Sequence, residues 1–397
     1  SQGLLQSQPA NSFLDMRTRF TTNLVAEFGA TYNKTILEDH NLTFTAFATL
    51  TDNHSEAFTA RRRGLTNPDA TTLDLATGEQ SVTSGFDYEY KSLGLIGRFQ
   101  YNYKDKYIFS SSVRKDRSTS FDRTINTGVF PSVSVAWNMH EESFWAPLKR
   151  TINNFRVRAS QGSSGNDRVG AYAYLPGIVQ NLNYYGVDGT TGNETVNLGS
   201  VQTVFRNELL SWETTTERNF GIDLAMFRNK LTISADYYDR SNEDMLFPVF
   251  LPPSAGGGNN ANIILNVGNM TNKGLELAVG YRGRKGNFRY RMNGTFSTNQ
   301  NRITKISGNT DFLFTNDFGL VSRASQQSRV TALKVGREVS SFFLWRTNGI
   351  IDTEEKLAEY QKIDNNARMG DTRFIDQNKD GILDDNDRVY SGSGLPD

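Results

Sequence analysis

Hydrophobic and polar residues alternate with a period of two along much of this chain. In the segment 231–237, Leu231, Ile233, Ala235 and Tyr237 fall on one side, and Thr232, Ser234 and Asp236 on the other. Successive side chains of a β-strand point to opposite faces, so each such segment predicts a strand with one apolar and one wet side. The pattern recurs at Leu93/Leu95/Phe99/Tyr101/Tyr103, at Val129/Val133/Val135/Trp137 and at Phe155/Val157/Ala159. It returns at Phe220/Ile222/Leu224/Met226, Leu275/Leu277/Val279/Tyr281 and Phe288/Tyr290/Met292. Charged residues occupy the alternate register: Arg98, Arg156, Arg158, Asp223, Glu276, Arg289 and Arg291. Charge on one face of long strands suits a wide barrel with a wet lumen and a lipid-facing exterior.

The connections support the same reading. Short ones are expected at 34–40, 104–106, 228–230 and 283–286, with a somewhat longer one at 140–153. Long ones are expected at 57–89, 118–127, 163–211, 246–270 and from 301 onward. The two classes alternate, as short periplasmic turns and long extracellular loops do in outer-membrane barrels. About ten transmembrane strands are therefore predicted within 1–300: near 19–33, 41–56, 91–103, 107–117, 128–139, 154–162, 212–227, 231–247, 271–282 and 287–300. Residues 301–397 are expected to form an extracellular loop region. Tyr32, Tyr103, Tyr107, Trp137, Phe155, Tyr281 and Phe288 lie beside the short connections, where aromatic side chains favour the membrane interface. A large soluble β-protein, a sandwich or a solenoid, is the competing fold.

Composition narrows the classes further. Of 397 residues, 37% are hydrophobic, and mean hydropathy is −0.53. No run of about 20 apolar residues exists, which removes a transmembrane helix but not a transmembrane strand of about 9–11 residues. The 43 basic residues balance 43 acidic ones, so nothing points to nucleic acid, which favours a basic patch. There is no cysteine, hence no disulfide, thiolate metal site or cysteine nucleophile. The first nine residues have neither the basic start nor the apolar centre of a signal peptide.

Five stretches carry a family resemblance: 130–137 (FPSVSVAW), 155–166 (FRVRASQGSSGN), 210–223 (LSWETTTERNFGID), 266–277 (NVGNMTNKGLEL) and 370–381 (GDTRFIDQNKDG). Their order resembles that of the SusC/RagA-type TonB-dependent outer-membrane transporters. The resemblance implies a segment of a barrel of about 22 strands, closed by an N-terminal plug. It implies uptake of oligosaccharides or peptides, with TonB engaged through the N-terminal part and a SusD-like surface lipoprotein as lid. Plug, TonB-contacting box and final strands are absent from this sequence, which reads as the middle of a longer protein in the outer-membrane lipid of a Gram-negative bacterium. The alternatives are a lid-less siderophore-type receptor or passive porin, and a secreted, calcium-stabilised β-rich binding protein.

One segment carries metal-binding chemistry. Residues 376–387 (DQNKDGILDDND) follow the twelve-residue calcium-loop spacing. Asp376, Asn378 and Asp380 fall at positions one, three and five, and Gly381 at the sharp turn of position six. Ile382 offers its carbonyl, Asp384 a carboxylate or bridged water, and Asp387 closes the loop. Calcium takes six to eight hard oxygens, so a structural Ca2+ is expected here. Position twelve is Asp rather than Glu, and no helical pattern flanks the loop, so it is EF-hand-like without the helix pair. An Asx-turn loop without metal is the competing reading.

Catalysis finds no support in the sequence. His40, His54 and His140 lack zinc spacing, and Ser163 and Ser164 lack a neighbouring base. Gly256–Gly258 has no strand–glycine–helix context for phosphate. Glu141 and Glu142 read as a solvated turn, Arg61–Arg63 as a solvated loop, and Gly162 and Gly165 as a strand exit. Trp212 reads as a structural residue at a strand's outer end. Tyr184, Tyr185 and Trp345 are candidate substrate-stacking aromatics, with loop packing as the competing role.

Overall fold

The structure, a computed structural model, describes residues 12–65, 69, 71–78, 80–180, 184–187, 194–197, 199–251, 254, 262–306, 312–314 and 330–393. The chain forms two compact units. One comprises Ser1–Ala146, Arg158–Thr214 and Leu246–Asn266; the other comprises Pro147–Val157, Thr215–Met245 and Val267–Asp397.

The first unit contains β1 (Phe13–Ile36), β2 (His40–Arg63), β3 (Gln80–Tyr103), β4 (Tyr107–Ser118), β5 (Thr127–Asn138) and the outer part of β6 (Ile152–Asn166). Antiparallel pairing joins β1 to β2, β2 to β3, β3 to β4 and β4 to β5. The register aligns like with like. Tyr32 faces Phe44, which faces Phe99; Tyr101 faces Phe109, which faces Val135. On the opposite face Thr31 meets Thr45, and Ser112 meets Ser132. A one-residue slip would put every phenylalanine among the hydroxyls, so the pattern fixes the register.

The second unit contains the rest of β6, most of β7 (Glu213–Met226), then β8 (Leu231–Glu243), β9 (Gly268–Lys285) and β10 (Phe288–Ile306). β8 pairs with β9 and β9 with β10, both antiparallel. Ile233 faces Val279 and Ala235 faces Leu277, while Asp236 faces Glu276. The second unit also holds residues 330–393. Here Thr331–Lys334, Ser341–Trp345 and Arg388–Gly392 form antiparallel strands, and one helix, α1 (Glu354–Tyr360), is capped by the Thr353 side chain. Ile351, Tyr360 and Ala367 make a small core, with Leu357 and Leu383 packed on it.

Among the described residues nothing covers the apolar face of the long strands. Phe28 is 73% exposed, Leu24 60% and Phe20 59%. A monomer in water seldom shows so continuous an apolar face. It is what an antiparallel sheet presents to lipid. No helix among the described residues is long and apolar enough to cross a membrane.

The tight turns use positive φ. Lys104 and Asp105 take φ of 53° and 56°, and Lys106 N–H donates to Tyr103 O (2.9 Å). Arg228 and Asn229 take 58° and 61°, closed by Lys230 N–H to Phe227 O (3.3 Å). Both connections are tight, with consecutive residues in the left-handed region, Phe227 (54°) included in the second. At the other end β2 runs on to Arg63, so Arg61–Arg63 lie in a strand and not in the loop expected there. Hydropathy alternation fades beyond Leu50 and Leu93, where Asp52 and Lys91 take the outward positions. Backbone pairing continues without it, because a strand outside lipid needs no apolar face.

Candidate functional site

The polar face of the sheet is the surface on which ligand chemistry is concentrated. In the first unit small hydroxyls pair across strands: Thr31 with Thr45 (3.3 Å), Ser112 with Ser132 (2.7 Å), and Thr43 donating to Asn33 (2.8 Å). Arg98 donates to Ser110 and Gln100 at 3.3 and 3.2 Å, and Arg114 pairs with Asp116 at 2.7 Å. In the second unit Ser234 donates to Asp223 (2.8 Å), Arg240 pairs with Glu217 (2.6 Å) and Asn242 donates to Thr215 (3.0 Å). A hollow of about 450 Å³ opens on this face, lined by Asn154, Arg156, Asp223, Ser234, Asn293 and Thr295 among others. Groups of this kind are suited to water and polar solutes. No three of the described carboxylates and imidazoles come together as a metal site.

Near the long connections, aromatic packing fixes the wall. Phe121 and Phe130 are buried against Trp212, at ring distances of 5.2 and 5.5 Å, and Trp212 Nε1 donates to Asn126 O (3.1 Å). Trp212 therefore has the structural role the sequence suggested. The Phe130 ring leaves no room beside it: a Cβ on Gly165 would lie 2.1 Å from its Cζ, and one on Gly128 2.4 Å. Gly165, next to last in β6, lies at the strand exit read from the sequence and is small to admit Phe130, whereas Gly162 lies further inside the strand. Nothing in the local sequence reveals that contact.

At the opposite end, the Glu142 carboxylate accepts from Lys106 Nζ (2.8 Å), Tyr107 OH (2.7 Å) and Trp137 Nε1 (3.2 Å). The Lys106 and Tyr107 hydrogen bonds hold its pKa below the ordinary carboxylate value. Glu142 is thus the anchor for two interfacial aromatic rings, which stack at 6.2 Å, and not merely a solvated turn residue.

The acidic loop is ordered by its own backbone. Asp376 accepts from Lys379 N–H (2.6 Å) and Gly381 N–H (2.8 Å), and Asp380 accepts from Ile382 N–H (2.8 Å). Asp384 accepts from Asn386 N–H (2.7 Å), and Asn378 donates to Asp380 (2.7 Å). Asp387, fully buried, accepts from Gln377 N–H (2.8 Å) and Asp384 N–H (3.0 Å). Gly381 takes φ of 84°, as position six of a calcium loop requires. The oxygens suit a hard cation in kind and in their spacing along the sequence. As placed, Asp376 and Asp380 are turned to backbone amides.

Of the candidate stacking aromatics, Trp345 is a packing residue. Its Nε1 donates to Asp384 O (3.0 Å), its ring meets Phe374 at 5.1 Å, and the Arg388 guanidinium lies 4.6 Å above it. The backbone of Tyr184 and Tyr185 pairs with that of Asn197 and Val196. Their side chains lie outside the described residues.

Comparison with known proteins agrees with this geometry. Residues 3–345 match the family described as TonB dependent receptor-like, beta-barrel. TonB-dependent receptor P3 of Formosa agariphila is 29% identical over 381 residues, covering 96% of this chain and 36% of the relative. TonB-dependent receptor SusC of Bacteroides thetaiotaomicron is 28% identical over 296 residues, covering 74% of this chain and 27% of SusC. This chain thus spans about a third of the length of such relatives. Among solved structures, that of the RagAB peptide transporter superposes with a TM-score of 0.70 at 23% identity, over 85% of this chain and 35% of the matched one. With its two-faced antiparallel strands and this match across most of its length, the chain belongs to the TonB-dependent receptor-like β-barrel family, of the Gram-negative outer membrane.

Proposed function

We propose that this chain forms part of the wall of an importer driven through TonB, which takes up oligosaccharides or peptides together with a SusD-like surface lipoprotein. The observation that carries this reading is the two-faced wall. An apolar face suited to lipid backs a face of paired hydroxyls, amides and ion pairs, as a lumen for polar solutes requires. Similarity to SusC, and to the RagAB peptide transporter in fold, supports the substrate range and the lidded assembly. The long connections face outward in this reading, and the turns at 104–106 and 228–230 face the periplasm. The test is uptake by cells carrying the full-length gene, its deletion, or a version without the TonB-contacting segment. Fluorescent oligosaccharides and peptides too large for porins serve as probes. Accumulation of at least one probe should require both the gene and the TonB segment. Accumulation unchanged by either deletion would refute the proposal.

We also propose that the loop 376–387 binds one structural calcium ion. The oxygen ligands would be those of Asp376, Asn378, Asp380, Asp384 and Asp387, with the Ile382 carbonyl. The sequence spacing and the positive φ at Gly381 support this. The full-length protein should hold one equivalent of calcium by elemental analysis. Asp376→Ala with Asp380→Ala should remove it while the barrel still assembles. No bound calcium at about millimolar free ion would end the idea.

A further inference from the structure

On the polar face of the first unit, beyond the apolar band, two arginines of β1 reach across β2 to an aromatic ring of β3. The Arg19 guanidinium lies 5.0 Å from the centre of the Phe86 ring, and that of Arg17 5.7 Å. The register explains the reach. Arg19 faces Ala57, which faces Phe86, and Thr21 faces Ser55, which faces Tyr88. Ala57 and Ser55 are small and buried, so they form a shallow floor between the arginines and the rings. Phe86 and Tyr88 each remain 38% exposed, and Tyr90, the next residue on that face, donates to Asp167 (2.8 Å).

The charge of this patch is not balanced locally. Asp15, the nearest acid along β1, is taken by Arg61 in a two-pronged pair (both 2.7 Å). Asp52 and Glu89 are taken by Lys91, and Asp87 lies near His54 on the other face. Among the described residues no carboxylate pairs with Arg17 or Arg19. A guanidinium laid on an aromatic face keeps its N–H edges free for carboxylate or sulfate, which it grips two-pronged. The main-chain groups of β2 are consumed in pairing to β1 and β3, so a ligand on this face is read through side chains alone. Fixed cations beside exposed rings and small hydroxyls fit an acidic sugar chain better than a peptide strand, which binds through a free sheet edge.

We propose that Arg17, Arg19, Phe86 and Tyr88 form a docking site for acidic oligosaccharides, bearing carboxylate or sulfate groups, on the outer part of the import path. The proposal rests on the importer reading and on its outward placement of the long connections. The test is calorimetry on the full-length protein, with hexagalacturonate, a sulfated carrageenan hexasaccharide, neutral maltohexaose and hexaglutamate. At least one acidic sugar should bind at least about tenfold more tightly than maltohexaose, and the gain should shrink between about 50 and 500 mM NaCl. Arg17→Gln with Arg19→Gln should remove that gain, about tenfold or more, while Arg17→Lys with Arg19→Lys retains part of it. Arg19→Gln alone should cost about threefold or more, which keeps the test open if the double variant assembles poorly. Equal binding of acidic and neutral sugars would overturn the proposal. So would acidic binding untouched by the Gln variants, or hexaglutamate binding as tightly as the sugars. TonB-dependent uptake that survives with a silent arginine pair sinks only the patch. Absence of TonB-dependent uptake sinks the reading beneath it.

Discussion

At the residue scale, two side chains show how a contact distant in sequence sets a requirement. Phe130 is 5% exposed, wedged beneath Gly165 and Gly128 and beside Trp212. Gly165→Ala should destabilise the full-length barrel by about 1–3 kcal/mol, read as a lower urea midpoint in vesicles. Phe130→Leu added to it should restore part of the loss, because the clash is with the ring. If Gly165→Ala were neutral, the packing assigned to Phe130 would be wrong. Glu142 makes a prediction in pH. Its folded pKa is lowered, chiefly by the Lys106 hydrogen bond, so it stabilises the folded form above the unfolded carboxyl value of about 4.3. That stabilisation is lost as pH falls through the folded value. Wild type should therefore exceed Glu142→Gln by a constant margin between about pH 6 and 8, closing below about pH 4. A margin that grows on acidification would contradict the sign. Neither role was legible in the sequence: Gly165 and Phe130 lie on different strands, and Glu142 looked like any charged turn residue.

At the element scale, the strands were legible because lipid on one side and water on the other write a period of two into the chain. Leu277 and Val279 alternate with Glu276 in the sequence, and the β8–β9 register sets Leu277 against Ala235 and Glu276 against Asp236 on opposite faces. What could not be read was how far strands run beyond the apolar band. β1 begins at Phe13 and β2 ends at Arg63, where backbone pairing alone continues the sheet. Leu277→Arg should cost about 2–4 kcal/mol if the residue lies near the bilayer midplane, and reduce the fraction assembled in the outer membrane. Glu276→Gln should cost far less. Equal assembly of the two variants would put the face assignment wrong by one residue.

At the scale of the whole molecule, the proposed importer sets a two-faced wall across the outer membrane, with its tight turns inside and its long connections outside. In the proposed orientation, aromatic rings tied to Glu142 would mark the periplasmic boundary, and Asp52 and Lys91 the opposite one. The proposed roles of the arginine pair on β1 and of the acidic loop both rest on that placement. It is tested most directly by cysteine labelling of intact cells. Single cysteines replace Leu209, 82% exposed in a long connection, and Asp105, in the turn between β3 and β4, within an otherwise cysteine-free full-length protein. A membrane-impermeant maleimide should label Leu209→Cys on intact cells, and Asp105→Cys only after the outer membrane is permeabilised. Labelling of Asp105→Cys on intact cells, with Leu209→Cys protected, would contradict the account.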